Sequence, residues 1–163
     1  GAVEARVPVP RWTDRCPPPV LAVSLWLAFG ALSMLLMPAF HSVAPFFGRL
    51  LSGTNGTILY LVLAGVWAYS ARAMYRLDRR GWWVIVIVMM VYALSHVITY
   101  SRHNVAELYA AMGYSAAQMA ALQSFVLSQR MMTWVALVWL LPFLGYLLYI
   151  RKFFPGWGGS APD

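Results

Sequence analysis

His96, Tyr100, His103 and Glu107 follow one another at steps of four, three and four residues. A continuous helix would set all four on one face, with Tyr92 and Met89 extending the stripe. Imidazole and carboxylate are metal ligands. Together with His41, the remaining histidine of the chain, these groups are candidates for zinc or copper. Met112 or Met119 would add soft sulfur for copper. The spacing is poor for one ion, because His96 and His103 stand ~10.5 Å apart along a helix axis. The pair of histidines four residues apart that grips a metal is absent. A haem on His96 would need an opposing histidine on another apolar helix, and none is present. The commoner role of such a histidine is a hydrogen bond to a nearby hydroxyl or lipid head group.

A second constellation is aromatic. Trp67, Tyr92, His96, Tyr100, Trp134 and Trp139 are candidates to line a cavity for a lipid or quinone-like ligand, since flat rings resist collapse. Trp26 and Tyr146 lie in apolar stretches and are candidates for the same lining. Packing or lipid contact is the commoner use of such rings. Pro142 and Gly145 can kink their helix, one way to open a cavity between neighbours.

Four apolar stretches must position these groups: residues 20–40, 58–74, 82–100 and 131–150. Each approaches the ~20 residues needed to cross a hydrocarbon core. The chain has 163 residues, 61% hydrophobic and 10% charged, too little polar surface to cover a water-soluble globule. The expected fold is all-α: one polytopic membrane domain over 20–152, a four-helix bundle, after a proline-rich tail over 1–19 and before a second tail over 153–163. Ser24, Ala28 and Ala31 face Ala64, Ala68 and Ala71 as small residues that let the first two spans pack closely. A homo-oligomer contact is a second use for that stripe.

The net charge of +7 is placed unevenly. Arg6, Arg11, Arg15, Arg72, Arg76, Arg79, Arg80, Arg151 and Lys152 fall on one side of the spans; Arg49, Arg102 and Arg130 fall on the other. This is the positive-inside bias, and it predicts cytoplasmic N and C termini. It accounts for the basic charge without nucleic acid. Cys16, the single cysteine, allows neither a disulfide nor a thiolate cluster, and is an idle thiol or a palmitoylation site.

Between the first two spans, residues 41–57 read as an interfacial turn of helix followed by a tight turn at Asn55–Gly56. The first span is expected to end near Pro38. Residues 101–130 are too polar to span yet keep helical periodicity. Gly113 reads as a helix stop, and Ser115 to Gln118 as a capping box. Spans three and four are therefore expected to run outward as one helical hairpin turning at Gly113–Tyr114, protruding by ~18 Å.

No carboxylate lies within a span, and neither a phosphate-binding loop, a zinc-protease helix nor a nucleophile elbow occurs. The paired cysteines of vitamin-K-reductase and disulfide-oxidant bundles are missing, as is the buried acid of small multidrug exporters. In pattern the chain resembles small four-span proteins of the bacterial inner membrane, a likeness that transfers no functional residue. The expected function is non-enzymatic: an accessory or binding protein contacting a partner or a hydrophobic ligand. A metal- or haem-binding redox protein is the alternative, and a small transporter or channel the third reading.

Overall fold

The computed structural model describes Thr13 and residues 16–40, 43–103, 105–123 and 129–156. Helices dominate: α1 (Pro18–Phe40), α2 (Gly53–Tyr75), α3 (Arg79–Arg102), α4 (Val105–Ala111), α5 (Ala116–Gln123) and α6 (Gln129–Ile150). Of these, α1, α2 and α3 are long and apolar enough to cross a membrane. Their outer faces are apolar as well, with Phe29 at 70% exposure and Phe40 at 74%. The described residues are not wholly helical, because β1 (Ala44–Phe46) and β2 (Arg49–Leu51) form an antiparallel hairpin.

Several boundaries differ from those expected. The prolines before the first span are not all extended tether: Pro18 and Pro19 open α1. A first-turn residue has no intrahelical use for an N–H, so proline is tolerated there. The Pro17 carbonyl accepts from Val20 and Leu21, each at 2.9 Å. At its other end α1 runs through Pro38 to Phe40. The first turns of α2 absorb Asn55 and Gly56, so the tight turn read there is instead helix.

The turn from α2 to α3 is short because two caps share it. Leu77 adopts φ +57, Asp78 donates its N–H to Ala73, and Leu77 donates to Met74, both at 2.9 Å. That closes α2 as a Schellman motif with leucine where glycine is usual. Asp78 then caps α3, its side chain accepting the Arg80 N–H at 2.9 Å. A Cβ on Gly81 would overlap Ala73, so glycine is what allows α3 to start this close to α2.

The long helices pack in alternating directions. Ser24 of α1 donates its hydroxyl to the Ala71 carbonyl of α2 at 2.6 Å, and Gly30 of α1 lies against the Trp67 ring. Along α6, the Tyr146 hydroxyl donates to Pro19 at 3.1 Å and Phe143 meets Trp26 at 4.8 Å between centroids. The indole N–H of Trp82 in α3 donates to the Leu147 carbonyl at 2.8 Å. Packing is uneven along the bundle. Val20, Leu27, Met74, Ile85, Leu147, Ile150 and Phe154 are fully buried together at the arginine-bearing end. Cys16 belongs to this core, so its thiol is not presented for modification.

At the opposite end α3 stops at Arg102, and His103 is extended at φ −117, ψ 140. The continuous outward helix expected from Tyr100 to Met112 is therefore broken. Leu108 of the short α4 is buried with Val43 and Tyr100, and Tyr109 and Met112 pack around them. So α4 covers the end of the bundle. The local signals further on are present as read: Gly113 has φ +84, with Tyr114 N–H to Tyr109 and Gly113 N–H to Ala110. Ser115 and Gln118 exchange the two bonds of a capping box, at 2.8 and 3.3 Å.

Candidate functional site

The half of the bundle away from the packed core holds two apolar cavities. The larger, about 510 Å³, lies between α1, α3 and α6 and is lined by Trp26, Met89, Tyr92, Ala93, His96, Leu140, Pro142 and Phe143. The second, about 300 Å³, lies among α1, α2, α3 and the β-hairpin, with Met34, Phe46, Tyr60, Val66, Tyr92 and Ser95 on its walls. Tyr92 stands between them and lines both. The larger is in the range of small-molecule sites, which are mostly apolar with few polar groups that fix orientation.

Each wall of the larger cavity has a local cause. Met89, Tyr92 and His96 recur at steps of three and four, which puts them on one face of α3. Pro142 cannot donate to a preceding carbonyl, so its turn of α6 is a weak point in the helix ladder. An aromatic chain backs it: Trp67 of α2 meets Trp26 of α1 in a tilted pair at 5.2 Å, and Trp26 meets Phe143 of α6 likewise at 4.8 Å. Trp67 reaches this position because Gly30 offers no side chain; a Cβ there would overlap its six-membered ring.

His96 is the polar group of the site. Its ring lies against Tyr92 at 4.1 Å and Tyr100 at 5.5 Å, and its Nδ1 is 3.3 Å from the Tyr92 carbonyl. A carbonyl oxygen only accepts, so Nδ1 carries the proton and Nε2 is left as an acceptor.

His103 and Glu107 do not join His96. His103, the cap residue just past the end of α3, joins Ser95 and Thr99 of that helix in holding the hairpin turn. Ser95 Oγ accepts the Phe47 N–H and Thr99 Oγ1 the Gly48 N–H, both at 2.9 Å. The Nε2 of His103 donates to the Gly48 carbonyl at 3.1 Å. Its Nδ1 lies 2.7 Å from Glu107 Oε2. Both ring nitrogens therefore donate beside an ionised carboxylate, the pattern of an imidazolium. The hydrogen bond to Glu107, then that to Gly48, raises the His103 pKa above its ordinary 6.5.

The turn itself is two residues long with Phe47 at φ +43 and Gly48 at φ +78, a type I′ geometry. Phenylalanine is poorly suited to that region. Arg102 packs over Gly48, where a Cβ would meet its Cδ at 3.0 Å.

Of the residues singled out from sequence, Tyr92 and His96 line the larger cavity. Trp67 and Tyr100 stand behind its walls, one against Trp26 and one against His96. Trp134 is 62% exposed on α6. The side chain of Trp139 and all of His41 lie outside the described residues. Among the described residues no three of His, Cys, Asp and Glu come together. Of the small residues, Ser24, Ala31, Ala64 and Ala71 are buried, whereas Ala28 and Ala68 are exposed along a shallow groove. Trp26, also an aromatic candidate from the sequence, lines the cavity, whereas the sequence did not assign Phe143 to the site, nor Ser95 and Thr99 to the hairpin. Two hydroxyls four residues apart in an apolar helix were the available signal for the last pair. No family model matches the chain, and neither a curated protein nor a solved structure shows significant similarity to it.

Proposed function

We propose that this is an integral membrane protein that binds an apolar small molecule in the cavity between α1, α3 and α6, without transforming it. In this reading α6 is a fourth span, both termini are cytoplasmic, and the β-hairpin and α4 lie on the extracytoplasmic side. The apolar outer faces and the arginine distribution support the membrane placement. The observation that carries the binding reading is the 510 Å³ cavity, apolar throughout except for His96 and the Tyr92 hydroxyl. A bundle meant only to stand in lipid gains by packing such a space shut.

The test uses the purified full chain in detergent and tritiated para-octylphenol, read by scintillation proximity. Saturable binding is expected, and Ala93→Phe, which fills the cavity from its α3 wall, is expected to abolish it. Binding that is absent, or that survives the filled cavity unchanged, sinks the reading.

A further inference from the structure

We infer that the cavity selects ligands bearing a hydroxyl that donates to His96, in preference to ligands whose oxygen only accepts. This deepens the binding reading above and rests on it.

The argument is one of hydrogen-bond direction. The Tyr92 carbonyl fixes the His96 tautomer, because Nδ1 must donate to it across 3.3 Å. The rings of Tyr92 and Tyr100 lie 4.1 and 5.5 Å from the imidazole, and a flip of the ring would put Cδ2 in place of Nδ1 and forfeit the bond to the Tyr92 carbonyl. Nε2 is on the far side of the ring from its own backbone. Its lone pair is the one strong acceptor the imidazole can offer a ligand. A lone pair held in an apolar wall carries a desolvation cost until a donor meets it. A phenol, a hydroquinone or an alcohol supplies that donor; an ether, an ester or a quinone carbonyl presents a second lone pair instead. The remaining walls suit the rest of such a molecule. Trp26 and Phe143 offer aromatic faces, and Met89, Leu140 and Pro142 offer aliphatic contact. The Tyr92 hydroxyl can donate to an ether or carbonyl, so the discrimination comes from Nε2, which such a ligand leaves unpaired.

The test is competition against tritiated para-octylphenol on the full chain. The competitors are unlabelled para-octylphenol and para-octylanisole, which differ by one methyl group on the oxygen. The phenol is expected to compete about tenfold more strongly, the effect of one hydrogen bond. His96→Phe keeps a ring of similar size without a nitrogen, and is expected to bind the two equally. His96→Gln restores an acceptor oxygen, and a recovered preference for the phenol supports the assignment. Equal competition in the wild type, or a preference that persists in His96→Phe, overturns the hydroxyl inference while the cavity reading stands. Binding that is insensitive to Ala93→Phe overturns both. Should His96→Phe fail to fold, equal competition in the wild type still decides against the inference and unequal competition with recovery in His96→Gln decides for it.

Discussion

Trp82 near the start of α3 donates its indole N–H to the carbonyl of Leu147, three residues before the end of α6, across 2.8 Å. That carbonyl belongs to the last turn of α6, where the helix has no N–H of its own to offer. Arg151 lies over the same indole at 5.9 Å, and Trp82 and Leu147 both belong to the buried core. Trp82→Phe keeps most of the ring and removes the donor. It is expected to cost about 1–3 kcal/mol, the penalty of a buried carbonyl left without a partner. Denaturation of the purified protein checks this, and an unchanged midpoint would count against the cap.

The hairpin turn depends on two hydroxyls of α3. Ser95→Ala and Thr99→Ala each remove one acceptor and are expected to cost about 0.5–1.5 kcal/mol. Their signature is local. Amide exchange at Phe47 should accelerate in the first variant and at Gly48 in the second, with α2 amides unaffected. Exchange that rises equally in both places in both variants would show the turn responding to general loosening instead.

His103 gives this end of the molecule a pH dependence. Its pKa is raised in the folded state by Glu107 and the Gly48 carbonyl, against smaller opposing effects of desolvation and of Arg102. A raised imidazole pKa means that the folded state binds the proton more tightly than the unfolded one. The stabilisation is therefore complete below the ordinary value of 6.5 and is lost as pH rises through the higher folded value. Glu107→Gln should reduce the loss. Melting of wild type against His103→Gln from about pH 6 to about pH 9 measures it. The gap should narrow as pH rises; a gap that widens contradicts the imidazolium.

Cysteine labelling tests the placement of the two ends. Cys16 is buried, and burial pushes its thiol pKa up, so it should resist maleimide until the protein is denatured. Introduced cysteines then report alone. Ser101→Cys is expected to react with an impermeant maleimide in intact cells, and Lys152→Cys only after lysis. The reverse pattern would invert the orientation.

What the sequence made legible was local or compositional. Gly113 and the Ser115–Gln118 pair specify their turns through bonds spanning three to five residues, and both are present. The apolar stretches announced themselves by composition, although Pro18, Pro19 and Gly53 moved helix starts earlier. The β-hairpin was not legible because Phe47–Gly48 lacks the Asn-Gly signature of its turn, and its geometry is held by Ser95 and Thr99 from another element. The His96 and His103 stripe was split by a helix end that tertiary contacts decide. Phe143 gave no sign of its place because helices apolar on all sides show no preferred face.

The contrast between the two ends of the bundle also has a mechanical side. Trp82, Leu147, Pro19 and Tyr146 tie α1, α3 and α6 where the interior is solid, while the same helices diverge around empty volume further along. Were the cavity to take up a ligand as proposed, α6 would lever about its fastened end, with Pro142 as the compliant joint, and the distal half would part while the base stayed shut. In that reading, passage from one membrane face to the other would require the base to loosen too, and the bundle would serve as a cup rather than a pipe.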